Sequence, residues 1–151
     1  MWVIDMETMY RQIESIIDKD LPLVSNLANV SAILYKMDNL NWAGFYISNS
    51  EFLYLGPFQG DVACTVIPFD KGVCGKAFSL KQTLIVDDVN KFEGHIACSS
   101  LSKSEIVVPI ILNEECVAVI DIDSPIYSRF DDDDRYLLEK IAQLLAPLFV
   151  K

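Results

Sequence analysis

EIVVPIILNEECVAVIDID, residues 105–123, decides the fold. Two runs of β-branched and apolar residues flank a polar NEE, the pattern of a β-hairpin. Both runs are apolar at successive rather than alternate positions. The sheet they belong to is therefore covered on each side, by helices or by an enclosed pocket. Asp121 and Asp123 break the pattern. They share a face with Val117 and Val119, whereas Cys116 falls with Ala118, Ile120 and Ile122. Hairpin register decides what the acids meet. An even connection sets Glu105 opposite Ile122 and sends both aspartates to the other face. An odd one sets Glu105 opposite Asp123 and Val107 opposite Asp121. Three carboxylates then converge on one side, able to grip an ammonium group. At least one of them has a raised pKa, because close like charges resist joint ionisation. The rival reading is a strand end that simply emerges into solvent, since buried acids are rare unless paired.

Outward from this hairpin the chain alternates helices and strands. Residues 5–38 read as helical, with Leu23, Val24, Leu27, Val30, Leu34 and Met37 at three- and four-residue spacing and Pro22 fitting the first turn. NWAGFYI (41–47) is extended, with Trp42, Gly44 and Tyr46 on one face and Ala43, Phe45 and Ile47 on the other. EFLYLGPF is a second strand, ended near Gly56-Pro57, and DVACTVIPF a third. KGVCGKAFSL reads as a short helix and TLIVDDV as a short strand. The terminal helix, about 131–150, has Asp131 as N-cap, Asp132 to Asp134 at its positive end and an apolar side from Leu137 to Phe149. That side is either intramolecular core or the seam of a homodimer. The expectation is a single α+β domain over 1–151, with sheet and pocket in about 41–123 between helices, the sheet mainly antiparallel.

The 151 residues are 52% hydrophobic, which suits a packed core, and the net charge of −10 argues against nucleic acid and anionic membrane surfaces. Nothing spans a bilayer and the N-terminus has no secretory pattern, so a cytoplasmic location is expected. There the four cysteines rest as thiols, and any disulfide is transient and catalytic rather than structural. They are spaced by ten, twenty-four and eighteen residues, with no C-x-x-C and no histidine pair, which gives zinc little support.

Cys74 falls in the first turn of its short helix. The exposed amides there, with Lys71 and Lys76, act to lower a thiol pKa. Cys98 lies in a serine-rich loop (Ser99, Ser100, Ser102, Ser104) three residues after the only histidine, His95. A Cys–His acyl-transfer nucleophile is one reading, but no third member or oxyanion hole is recognisable.

GPFQGDVACTVIP (56–68), GVCGKA (72–77), GHIACSS…SKSEIVVPI (94–110) and VIDIDSP…RFDDDD (119–134) together resemble the free methionine-(R)-sulfoxide reductases, single-domain enzymes of the GAF fold. The resemblance is collinear from about Asn41 to Leu148. It implies a six-stranded antiparallel sheet between helices and a substrate that is the free amino acid sulfoxide. It implies redox thiols at Cys64, Cys74 and Cys98, acids at Glu105, Asp121 and Asp123, and an aromatic wall from Trp42 and Tyr46. It implies no metal or organic cofactor, thioredoxin as reductant, and a place in oxidative-stress chemistry. The implied cycle runs through a cysteine sulfenic acid and an intramolecular disulfide. Cys98 is the expected attacking thiol, because its loop leads into Glu105. Cys74 is the rival, and Cys64 or the loser resolves. Ser99 departs from the acidic residue that often follows the loop cysteine, and Cys116 is an additional thiol without a role. A non-catalytic GAF module that binds a small ligand is the alternative function.

Overall fold

The computed structural model describes residues 5–96, 98 and 100–150. Helices α1 (Met6–Ile16) and α2 (Leu23–Leu34) precede strands β1 (Trp42–Ser48), β2 (Phe52–Gly60) and β3 (Val66–Pro68). Helix α3 (Gly72–Leu80), strand β4 (Leu84–Val86), strands β5 (Ser104–Leu112) and β6 (Glu115–Ser124), and helix α4 (Asp132–Leu145) follow. All five strand pairings are antiparallel, in the order β3-β2-β1-β6-β5-β4.

The two faces of the central strands divide the core as their apolar runs require. Ala43, Phe45, Ile106, Val108, Ile110, Ala118, Ile120 and Ile122 pack against α1, α2 and α4. Trp42, Tyr46, Val107 and Val119 face the other way, toward α3 and the loops beside it. Leu137, Leu138, Ile141 and Leu145 are buried in the first cluster. The leucine side of the last helix is thus intramolecular core. Its start is a reciprocal capping box between Asp131 and Asp134.

Three local expectations need correction. The second strand does not end at Gly56-Pro57 but continues to Gly60. Pairing with β1 slips between Gly44 and Tyr46, so β2 carries an extra residue there. Such a bulge accommodates a proline that cannot donate to the ladder, and the Pro57 carbonyl accepts from the Ser31 hydroxyl at 3.1 Å. A Cβ on Gly44 would collide with Phe58 in this close approach. The third strand is shorter than its apolar pattern, since residues 61–65 form a loop.

The third correction sets the site. The β5–β6 turn holds two residues, Asn113 and Glu114, both with positive φ, as a tight primed hairpin turn requires. Leu112 pairs with Glu115 and Ile111 with Cys116. Continued regularly, that even connection would set Glu105 opposite Ile122. Instead the register slips beside Ile110, which pairs with Ala118, and Val117 is the extra residue. From there Val107 faces Asp121 and Glu105 faces Asp123. The slip also exchanges two side chains. Cys116 joins Val107 and Val119 on the α3 side, while Val117 packs on the opposite cluster. Cys116 is therefore not on the face of Ala118, Ile120 and Ile122 as the alternation predicts.

Candidate active site

The α3 face of the sheet ends in a cavity of about 50 Å³, lined by residues from β1, β5, β6, α3 and the two loops that carry Cys64 and Cys98. Glu105, Asp121 and Asp123 come together on its sheet side through the slipped register. Glu105 and Asp121 are buried, at 7% and 5% exposure, and Asp123 is half-buried. No Lys or Arg among the described residues forms an ion pair with any of the three. Burial therefore dominates their chemistry. It pushes the Glu105 carboxyl well above the usual carboxylate range, and the Asp121 and Asp123 charges push it further. Asp123 is raised well above its ordinary value by burial and then by Asp121. Asp121 is raised by burial too, although Glu105, Cys74 and His95 partly offset this. The cluster holds its protons to higher pH than free carboxyls do, which lets it donate hydrogen bonds as well as accept them.

Trp42 and Tyr46 form the aromatic wall, their rings stacked with centroids 5.9 Å apart. Phe58 backs Trp42 at 5.0 Å. Both polar tips are used to hold the neighbouring loop. Trp42 Nε1 donates to the Asp61 carbonyl at 3.1 Å, and the Tyr46 hydroxyl donates to the Cys64 carbonyl at 2.8 Å. The aromatics thus pin the Cys64 segment beside the cavity that they line.

Cys64 and Cys98 are joined in a disulfide, with Cα atoms 5.5 Å apart. Both residues are half-buried and lie on loops, Cys64 between β2 and β3, Cys98 ahead of β5. The Cys98 loop is tied down by the Gly72 amide, which donates to the Gly94 carbonyl at 3.2 Å. Gly72 has φ of +63°, a conformation open to glycine at the start of α3. Ser99 lies outside the described residues. His95 lines the cavity, and its burial lowers its pKa, with Asp121 acting in the opposite direction.

Cys74 does sit in the first turn of α3, but the expected low pKa is reversed. The thiol is buried at 4% exposure and its pKa is pushed well up, first by burial and then by the Asp121, Glu105 and Asp123 charges. Helix-end amides act on a thiolate only as partial charges, and burial, followed by the carboxylates beside it, prevails. Cys116 is pushed up to about 11, chiefly by burial. In reduced protein at neutral pH, iodoacetamide is expected to modify Cys64 and Cys98 more than about tenfold faster than Cys74 or Cys116, because only an accessible thiolate reacts. Peptide mass mapping checks this, and comparable labelling of Cys74 would contradict it.

Asn41 is a site residue that sequence reasoning passed over. Its Nδ2 donates to Ser102 Oγ at 3.1 Å, and its Oδ1 is buried in the cavity wall without a partner. It comes immediately before β1, where its amide donates to the Asp123 carbonyl at 3.0 Å. Only the pairing of β1 with β6 brings it to the acids, and that pairing carries no local signal.

Residues 21–147 match the GAF domain family, and a six-stranded antiparallel sheet between helices with a pocket on one face is that family's fold. The chain belongs to this family, and within it to the branch that contains the free methionine-R-sulfoxide reductases. It is 48% identical over 149 residues to the free methionine-R-sulfoxide reductase of Saccharomyces cerevisiae, covering 93% of this chain and 83% of that one. It is 43% identical over 136 residues to the enzyme of the same name from Escherichia coli, covering 89% and 82%. The X-ray structure of the Neisseria meningitidis free methionine-R-sulfoxide reductase in complex with its substrate superposes with a TM-score of 0.92. That pair is 41% identical, with coverage of 99% of this chain and 93% of that one. Among the described residues no helix is long and apolar enough to cross a membrane.

Proposed function

We propose that this protein reduces free methionine-(R)-sulfoxide to methionine, with Cys98 as the attacking thiol and Cys64 as the resolving one. The observation that supports the reading is Cys98 lining a cavity walled by Glu105, Asp121 and Asp123 while joined to Cys64. A sulfoxide sulfur becomes electrophilic when its oxygen accepts a proton or a strong hydrogen bond. A buried acid whose proton is held above the usual carboxyl range supplies that donor. Ionised members of the cluster accept from the substrate ammonium, and Trp42 and Tyr46 pack its methyl and methylene groups.

In the first step the Cys98 sulfur gains the oxygen as sulfenic acid and methionine leaves with sulfur reduced. In the second the Cys64 thiol condenses with the sulfenic acid, releasing water and forming the disulfide. An external dithiol then restores both thiols by exchange, and thioredoxin is the reductant that fits a cytoplasmic cycle. Cys74, buried among carboxylates, is the wrong nucleophile, because its thiolate is disfavoured where a thiolate is needed.

The two epimers at sulfur exchange the oxygen and the lone pair, so an acid on one wall serves one of them. With dithiothreitol as reductant, methionine formation from the free R epimer is expected to exceed that from the S epimer by at least about 100-fold, the discrimination a directional hydrogen bond gives. Sulfoxide within a peptide should not react, since its nitrogen carries no charge for the acids. No turnover by folded, reduced protein would leave a ligand-binding GAF module as the better reading.

A further inference from the structure

We propose that Cys74, Glu105 and Asp121 form a binding site for a thiophilic divalent cation, with Zn²⁺ the fitting ion, and that a bound ion shuts the cavity to substrate. The binding stands on geometry alone. Only its consequence rests on the reductase reading.

One sulfur and two carboxylate oxygens, one from each residue, lie within 4.8 Å of one another. All three side chains are buried. They come from three elements, α3, β5 and β6, so the fold has already assembled the ligands. The Cys spacing gave zinc little support because it looks for cysteine and histidine pairs along the chain. This set is mixed and draws its oxygens from the hairpin register.

A second observation points to a ligand. Asp121 is 95% removed from solvent and lines the cavity; its side chain meets Glu105 and Cys74, the other two members of the set, while its Oδ1 is left without a partner. Buried charges are normally paired or coordinate a metal. No Lys or Arg among the described residues ion-pairs with this cluster. A substrate ammonium answers the carboxylates but makes no use of a sulfur in the same triad. A thiolate with two carboxylates suits Zn²⁺, whereas Mg²⁺ and Ca²⁺ prefer oxygen alone. The cavity beside the triad has room for an ion and for a water at the fourth position. Cys74 is not part of the Cys64–Cys98 disulfide, so the site exists in the oxidised protein.

The test uses the disulfide form, in which Cys64 and Cys98 cannot ligate. Co²⁺ is titrated as a spectroscopic stand-in, then displaced by Zn²⁺. One equivalent should bind with a thiolate-to-cobalt charge-transfer band that excess Mg²⁺ leaves unchanged. The band should be absent in Cys74→Ala, and Asp121→Asn should weaken binding by more than about tenfold. Cys116→Ser, which alters the other free thiol, should bind as wild type, and circular dichroism checks that each variant folds. No stoichiometric band in wild type, a band that survives in Cys74→Ala, or one lost in Cys116→Ser would overturn the site. Its consequence is read in a single turnover of pre-reduced protein freed of dithiol. Zn²⁺ should suppress methionine release and a chelator should restore it. Binding without suppression would overturn the inhibitory role. Absence of turnover before any metal is added would instead count against the reductase reading and leave the site standing.

Discussion

Cys98→Ser is expected to abolish methionine formation, a loss of about 10³-fold or more, on the scale seen when an essential nucleophile is removed. A serine hydroxyl is neither ionised at neutral pH nor able to take the sulfoxide oxygen and pass it on as water. The other two thiols separate by role. Cys64→Ser should still complete one turnover, because attack needs only Cys98, and then stall because the sulfenic acid has no resolving partner. Cys74→Ser should retain catalytic turnover, since its thiol is buried beside Glu105 and Asp121 and stays protonated. Methionine release under dithiothreitol separates Cys98→Ser from Cys74→Ser, and pre-reduced protein freed of dithiol reads the stall of Cys64→Ser, because a small dithiol reduces the sulfenic acid directly. Loss confined to Cys74→Ser would transfer the nucleophile to α3 and reject the present assignment.

Glu105→Gln and Asp123→Asn are expected to reduce turnover about 10²–10⁴-fold, the range general acid catalysis contributes, while raising the melting temperature at neutral pH. The opposed signs follow from linkage. Burial and mutual repulsion raise the folded-state pKa of both groups well above their unfolded values. Below the unfolded carboxyl pKa, both states hold the proton and the groups contribute nothing. As pH rises through that value the unfolded chain ionises while the folded one keeps its proton, so wild-type stability falls. The fall continues until the folded pKa is passed. An amide mimics the protonated acid in shape and does not ionise. The variants' gain in melting temperature should therefore be small near pH 4 and grow toward neutral pH. Thermal unfolding across that range checks it. A melting temperature lowered at every pH would mean the acids are held by compensating partners and are not strained.

Much of this site follows from patterns a reader of the sequence can see. Trp42 and Tyr46 fall on one face of β1 because strand alternation is regular there, and the structure places both in the cavity wall. Asp131 caps the last helix as its side chain type dictates. The limits are equally physical. Glu105 meets Asp123 only because Val117 bulges out of β6, and a bulge leaves no mark on an apolar run. Counting from the Asn113-Glu114 turn alone gives the other register. The same bulge moves Cys116 across the sheet. Pro57 argues for a strand end in any local reading, yet the extra residue beside it lets β2 continue. The position of Cys74 at a helix start is legible, but the sign of its pKa shift depends on carboxylates more than thirty residues away in sequence. The pairing of Cys64 with Cys98 rests on two loops that only the fold brings within a Cα separation of 5.5 Å.

The measurement that tests the central claim most directly is a single turnover of reduced Cys64→Ser protein with free methionine-(R)-sulfoxide and a sulfenic-acid trap, read by peptide mass spectrometry. One equivalent of methionine should appear, and the trapped adduct should map to Cys98. Methionine release with the adduct on Cys74, or with Cys98 unmodified, would contradict the account.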